Sequence, residues 1–338
     1  MESHPTAVEI GLSAAIVAVA ENEPLILCTP ASAVPESSSR MILSEKSATL
    51  RDHALDELPF GPFDPLAHRT FETGLRGWVS AQTRLKLGYV EQLYTFGDRG
   101  RHKTAAEDGA HVVSVGYLAL TRAAVNAEER PTAETGRWRE WYAFLPWEDW
   151  RGGKPALIEE TILPALERWA QEKPKPQASR LPRPTRLRLA FGLDGVPWDE
   201  ERVLERYELL YEAGLVEEAF NDGNAPHPPP VSLGRPMAFD HRRILATAIA
   251  RLRGKLKYRP VVFELMPPDF TLTALQEMVE AISGRHVHKQ NFRRLVESAN
   301  LVEPTGTTIT QTRGRPAALY RFRHEVLEER PAPGLRVR

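Results

Sequence analysis

One cysteine, Cys28, occurs in 338 residues, so no intramolecular disulfide can form and the chain fits a reducing compartment. Its setting in the apolar run PLILCT predicts a buried core thiol rather than a nucleophile. No apolar run reaches membrane-spanning length: Glu9 precedes the N-terminal apolar patch where a basic segment would be needed, and the polar turn ENEP interrupts it. A soluble cytoplasmic protein without membrane contact is expected. No internal repeat is visible. The stretch from Leu75 through Tyr89 contains no carboxylate, which leaves it nothing with which to hold a hard cation such as Mg²⁺. The chain also lacks an overall charge sign, with a formal net charge of -1.

That near-zero total conceals a division. From His241 to Arg338 there are 18 Lys and Arg against 9 Asp and Glu, whereas the preceding residues carry 26 basic and 36 acidic groups. An acidic body joined to a basic C-terminal part predicts that only the latter meets a polyanion. At this length, 42% hydrophobic and 26% charged content predicts two globular domains, each with its own core.

Along the acidic part, EIGLSAAIVAVAENEPLILCTP reads as two strands of a hairpin, and LGYVEQLYTF and HVVSVGYLALT as further strands joined by a charged, Gly-rich loop. Between them, Phe71, Leu75, Trp78, Val79 and Leu85 fall mostly at helical spacing. RWREWYAFLPWEDW predicts one more strand and a turn, its tryptophans serving as core. ALIEETILPALERWAQE is helical with a break or kink at Pro164. The Pro-rich KPKPQASRLPRPTRLR then reads as a connector, and WDEERVLERYELLYEAGLVEEAF as one amphipathic helix.

The basic part opens with a helix, His241 to Tyr258, apolar along one face and basic along the other. FTLTALQEMVEAISG predicts a second helix, started by a Thr-x-x-Gln capping box at Thr273 and Gln276 and stopped at Gly284. After a short turn, VHKQNFRRLVESANLV places Phe292, Leu295, Val296 and Ala299 on a buried stripe and Lys289, Gln290, Arg293 and Arg294 opposite. VEPTGTTITQTRGRPAALYRFR supplies two extended segments with a bend. Helix, turn, basic helix and hairpin in this order predict a winged helix-turn-helix on double-stranded DNA. Gln290 and Asn291 suit adenine, and Arg293 or Arg294 suits guanine. Thr271, Thr273 and Lys289 suit phosphate. Arg313 and Arg315 of the bend, flanking a glycine, suit a narrow minor groove.

YVEQLYTFGDRGR followed by VVSVGYLALT, together with NFRRLVESANLVEPTG and RGRPAALYRF, resembles the Nudix-related transcription factors of the NrtR and NadQ type, repressors of NAD metabolism. The Pro-rich middle, Lys173 to Pro236, has no counterpart there, and with the altered helix it makes the chain more similar to the NadQ branch. In the register that the resemblance sets, the Nudix signature R-E-U-x-E-E-x-G-U falls on Gly77 through Leu85. Trp78, Ala81 and Gln82 then stand where the metal-binding glutamates would be, while Val79 and Leu85 keep the aliphatic places; Gly61 lies near the signature's upstream glycine.

The fold implied is α+β: an N-terminal Nudix-like α/β/α sandwich with a mixed sheet and a C-terminal winged helix-turn-helix. Its divisions would be 1–170 as a catalytically degenerate sensing domain, 171–237 as a connector with one amphipathic helix, 238–325 as the DNA-binding domain and 326–338 as a tail. The function implied is a repressor of NAD biosynthesis genes, a homodimer on a partly palindromic operator. It would answer to a nucleotide effector, NAD, ATP or ADP-ribose, without catalytic residues, metal or required cofactor. The effector surface would include Gln92, Tyr94, Phe96, Asp98, Arg99 and Arg101, since arginines hold diphosphates and aromatics stack on adenine. The helix from His241 would connect effector and DNA states. Two alternatives stay open: a pyrophosphohydrolase whose metal moved to Glu72, Asp64 and Glu91, and a regulator of the same build that senses a pentose. Trp78 separates a closed site, if packed, from a reused pocket, if it lines a cavity.

Overall fold

A computed structural model of the chain describes residues 8–30, 55–98, 111–122, 136–172, 181–309, 316–329 and 334–335. Strand β1 (Val8–Ala20) turns through Glu21 and Asn22, both at positive φ, into β2 (Glu23–Pro30). Two successive left-handed residues give the turn that matches the twist of a hairpin. Short strands β3 (Asp56–Glu57) and β4 (Phe60–Pro62) pair with β2 and β1, and helix α1 (Phe71–Thr83) follows. Strands β5 (Val90–Phe96), β6 (His111–Leu120) and β7 (Arg137–Glu140) complete a sheet of order β3-β2-β1-β6-β5, with β4 added to β1 and β7 to β2. β1 and β6 run parallel and the other pairs antiparallel, so the sheet is mixed.

Alternation along β1 divides the interior in two. Leu12, Ala14 and Ile16 face α1, packing with Leu75 and Val79; Ala15, Val17 and Val19 face the other way into a much larger core. Cys28 lies in this larger core, where burial pushes its thiol well above the usual range, as a core thiol requires.

The larger core does not stop at a domain boundary. Beyond 3-10 turns at Trp141–Ala143 and Pro146–Glu148, the predicted helix near Pro164 forms as a π-helical turn, Ile158–Ile162, running into α2 (Leu163–Gln171). The wider turn accommodates a proline that has no N–H to give. The segment read as a connector is instead α3 (Arg183–Phe191), α4 (Val203–Glu212) and α5 (Glu217–Asn221), all contributing to the main core. The single amphipathic helix expected here is split, because Gly214 takes a positive φ between α4 and α5. Helix α6 (His241–Leu256) then crosses the sheet, touching β1, β5 and β6 as well as α4 and the next helix. Ile244, Leu245, Ala246, Ala248, Ile249 and Leu252 are all fully buried around its circumference. A helix covered on most sides belongs to one shared core, which corrects the expectation of two separate ones.

The winged helix follows: β8 (Asp269–Phe270), α7 (Leu272–Ser283), α8 (Lys289–Ala299), β9 (Val302–Ile309) and β10 (Ala317–Phe322), its sheet ordered β8-β10-β9. Among the described residues no helix is long and apolar enough to cross a membrane.

Three buried charges fasten the two halves. Glu148, fully buried, takes Arg206 of α4 in a fork (2.6 and 2.8 Å) and Arg253 of α6 at 2.7 Å. Arg253 also donates to the Glu148 and Ile282 carbonyls, each at 3.0 Å, which reaches the last turn of α7. Burial alone would raise the Glu148 carboxyl, but the two guanidinium groups outweigh it and hold it below the usual range. Removing one member strands charge in the interior. Glu148→Gln is therefore expected to destabilise the whole chain by about 3–5 kcal/mol in denaturant unfolding, with sheet and winged helix losing structure together; separate transitions would contradict a shared core.

Candidate nucleic-acid interface and effector surface

The turn of the helix-turn-helix is set by α7. Its N-cap is Thr271, whose Oγ1 accepts from the Ala274 N–H at 3.1 Å. The capping box expected at Thr273 and Gln276 is thus displaced: Thr273 is exposed, and Gln276 donates onward to Glu280 (2.9 Å) and the Val287 carbonyl (2.8 Å). Gly284 ends the helix in the left-handed region, as read, and a Cβ there would come within 2.5 Å of the Glu148 carbonyl oxygen. Glu280 clamps the turn, accepting also from the Val287 N–H at 2.8 Å and lying 3.0 Å from His286 Nδ1. Partial burial would raise its carboxyl, but these bonds hold it below the usual range.

Helix α8 then stands with Phe292 and Val296 buried and Lys289, Gln290, Asn291, Arg293 and Arg294 exposed. No carboxylate among the described residues pairs with Lys289, Arg293 or Arg294; the one contact within the group runs from Arg294 Nη2 to Asn291 Oδ1 at 3.3 Å. Arg313 and Arg315 lie outside the described residues. The basic face expected on the helix from His241 is absent. Arg242 and Arg253 are buried on Glu218 and Glu148, Arg243 pairs with Glu208 and Asp98, Arg251 and Lys255 with Glu91, and Lys257 with Glu200 and Glu201. Much of the positive charge of this helix is thus paired within the molecule, whereas Lys289, Arg293 and Arg294 of α8 have no carboxylate partner among the described residues.

On the sheet, Gln92 and Tyr94 are exposed, and Tyr117 Oη donates to Gln92 Oε1 at 3.4 Å. Phe96 departs from the expected ligand surface: it is 5% exposed, in the core beneath the Arg243 guanidinium at 5.1 Å. A register shift in β5 between Gln92 and Thr95 breaks the alternation that would have put Gln92, Tyr94 and Phe96 on one face. Asp98 is engaged by Arg243, while Arg99 and Arg101 lie outside the described residues.

Helix α1 shows what occupies the degenerate ligand positions. The Trp78 indole lies on the backbone of β4, so close that a Cβ on Gly61 would meet it at 2.3 Å, and its Nε1 donates to the Pro62 carbonyl at 2.7 Å. Gln82 closes an amide clasp on Phe60, donating to its carbonyl at 2.6 Å and accepting from its N–H at 3.3 Å. Trp78 is thus held half-buried against β4, outside both apolar cores. The relocated carboxylates do not converge: Glu72 pairs with Arg76, Asp64 caps the Leu66 N–H, and Glu91 answers Arg251 and Lys255 of α6. Among the described residues no three His, Cys, Asp or Glu side chains are grouped to hold a metal.

The architecture is thus a mixed-sheet domain with α1 on one face and α6 on the other, continuous with a winged helix. Residues 262–322 match the NrtR DNA-binding winged helix domain, so the chain carries an NrtR-type winged helix. It is 44% identical over 86 residues to the ADPR responsive transcriptional repressor NtrR of Acinetobacter baylyi, a match over 25% of this chain and about a third (34%) of that relative's length. The fold is similar across 97% of the chain to Shewanella oneidensis NrtR in complex with a 27mer DNA, of which 99% is covered (TM-score 0.57, 19% identity). A MutT/nudix family protein from Enterococcus faecalis is also similar over 96% of this chain and 89% of its own (TM-score 0.50, 13% identity). At those identities the structural likenesses establish fold.

The clamp at Glu280 makes a prediction for the turn. Because its carboxyl is depressed in the folded state, its contribution is present above the unfolded value near pH 4.3 and is lost as pH falls through the folded one. Glu280→Ala is expected to cost about 1.5–3 kcal/mol at neutral pH, read by denaturant unfolding, with the difference from the parent shrinking below about pH 4.

Proposed function

We propose that this chain is a DNA-binding transcriptional repressor whose Nudix-like domain senses a nucleotide without cleaving it. The observation that carries the reading is the exposed face of α8, where Lys289, Arg293 and Arg294 stand beside Gln290 and Asn291 without acidic partners among the described residues. On an NrtR-type winged helix this is the face that enters the major groove. Arg293 or Arg294 reads guanine, Gln290 and Asn291 read adenine, and Thr271, Thr273 and Lys289 seat phosphates, with Arg313 and Arg315 in the minor groove.

The effector is ADP-ribose or a related nucleotide, NAD or ATP, a reading supported by the ADPR-responsive relative that is 44% identical over 86 residues. Gln92 and Tyr94, exposed on β5, are the described residues of the sheet surface that suit it, with Arg99 and Arg101 following in the chain. The targets proposed are NAD biosynthesis genes, and the chain acts in the cytoplasm as a homodimer on a partly palindromic operator. Divisions at residues 170 and 237 remain useful for function, since sensing and DNA reading fall on either side of the helical segment. A metal-dependent hydrolase is disfavoured because Glu72, Asp64 and Glu91 each have other partners.

Operator binding is tested by fluorescence anisotropy on the chain's own upstream region and on NAD biosynthesis promoters. Arg293→Ala should weaken specific binding by about 1–3 kcal/mol and relax preference at one base pair. Lys289→Ala should weaken all sequences alike and reduce the salt slope by about one. ADP-ribose, NAD and ATP should shift the affinity, and affinity unchanged at saturation by all three would remove the sensing half of the reading. Turnover of ADP-ribose with Mg²⁺ that Glu72→Gln abolishes would replace regulator by enzyme.

A further inference from the structure

Where the sheet meets the winged helix, a cleft of about 870 Å³ opens between Tyr89 and Arg122 on the sheet side, Lys255 in the last turn of α6 with Arg259 just after it, and Phe263, Phe322 and His324 on the winged-helix side. It is separate from Gln92 and Tyr94, which do not line it. Two features give it a chemical preference. The first is an aromatic cluster: buried Phe263 backs Phe322, the two stacked with centroids 4.4 Å apart and planes inclined by 24°, and exposed His324 meets Phe322 edge-on at 4.9 Å.

The second feature is unbalanced positive charge. Lys255 is answered by Glu91 at 2.9 Å, and Arg321 lies 3.7 Å from Asp269. Arg122 gives two of its N–H groups to the main-chain oxygens of Phe263 (2.9 Å) and Glu264 (3.2 Å), which fixes the guanidinium but leaves its charge unanswered by any carboxylate among the described residues. Arg259 has no carboxylate partner among them either, and the further acidic side chain on the lining is Glu264, which is exposed. Two guanidinium groups beside an aromatic cluster suit a phosphate joined to a planar ring, since arginine forks onto phosphate and rings stack on rings. The volume falls within the range of small-molecule sites.

We propose that this cleft is a second ligand site, taking a small phosphate that carries a flat ring, the chemical class of a nucleoside phosphate. Its phosphate sits between Arg122 and Arg259, and its ring lies against Phe322 and His324. Because the lining comes from both sides of the seam, a ligand here favours one arrangement of sheet and winged helix over others. That regulatory consequence rests on the repressor reading; the binding itself does not.

The test is calorimetric titration of the full chain with ATP, ADP-ribose, adenosine and inorganic pyrophosphate. Arg259 is exposed and Arg259→Glu should fold normally, checked by thermal unfolding. ATP or ADP-ribose should bind the parent more tightly than adenosine or pyrophosphate, and Arg259→Glu should weaken that binding roughly tenfold or more. His324→Ala should weaken the nucleotide but leave pyrophosphate unchanged, and a Gln92→Ala, Tyr94→Ala pair should leave the cleft component intact. Nucleotide binding that is insensitive to Arg259→Glu, or that disappears entirely with the Gln92 and Tyr94 substitutions, or no binding by any probe, overturns the proposal. Failure of operator binding in a parallel gel shift would instead overturn the repressor reading and leave the cleft standing.

Discussion

A single carboxylate without access to water sets the relation between the halves of this protein. Glu148 sits between Arg206 and Arg253, and the guanidinium groups continue outward to the carbonyls of Ala190, Asp199, Glu200 and Ile282. Charges so deeply buried persist only where every donor has a geometrically defined acceptor. The turn at Glu148, helices α4 and α6 and the last turn of α7 must therefore meet in one arrangement. Apolar faces tolerate small slips, but a fork of N–H groups on a carboxylate does not. Arg242 repeats the device, joining Glu218 at 3.1 Å to the Phe144 carbonyl at 2.9 Å.

This constraint explains how the basic residues divide. Those of α6 are consumed in the interior or in pairs along the seam, whereas those of α8 project from a scaffold that the buried pairs hold rigid. The proposed role on DNA relies on that separation: the cations that position the domain are not the ones left to contact phosphate. The same rigidity gives a ligand at the seam a means of action, since a wedge between two tightly fastened bodies is felt by both.

The sequence made much of this legible, through periodicity. Strands β1, β2, β5 and β6, the hairpin turn and the stripe of Phe292 and Val296 all follow from residue spacing. So does the display of Lys289, Arg293 and Arg294. What was hidden lay wherever polar residues serve the interior. Arg206 and Arg253 occupy apolar-stripe positions of their helices, three residues from Val203 and four from Ile249, and an arginine on such a stripe is a signal for a buried partner. Glu148, in an irregular turn, carries no periodic mark. The middle segment looked like a connector because prolines dominate its start, yet Pro is welcome in the first turn of a helix and Pro184 stands at the beginning of α3. Phe96 was misplaced because a shift in strand register leaves no trace in composition.

The packing of Trp78 bears on whether the register set by the Nudix resemblance leaves room for a metal. Ligand carboxylates are interchangeable parts as long as the positions they leave do nothing else. Of the three positions aligned with ligand glutamates, Ala81 is exposed, but the other two serve the architecture: one holds an indole stapled over Gly61 and the other an amide that closes the backbone of Phe60. Glutamates placed at 78 and 82 would meet strand β4 before they met a cation, and would leave its carbonyls without donors. A carboxylate at either position would therefore require the edge of the sheet to be rebuilt in the same step.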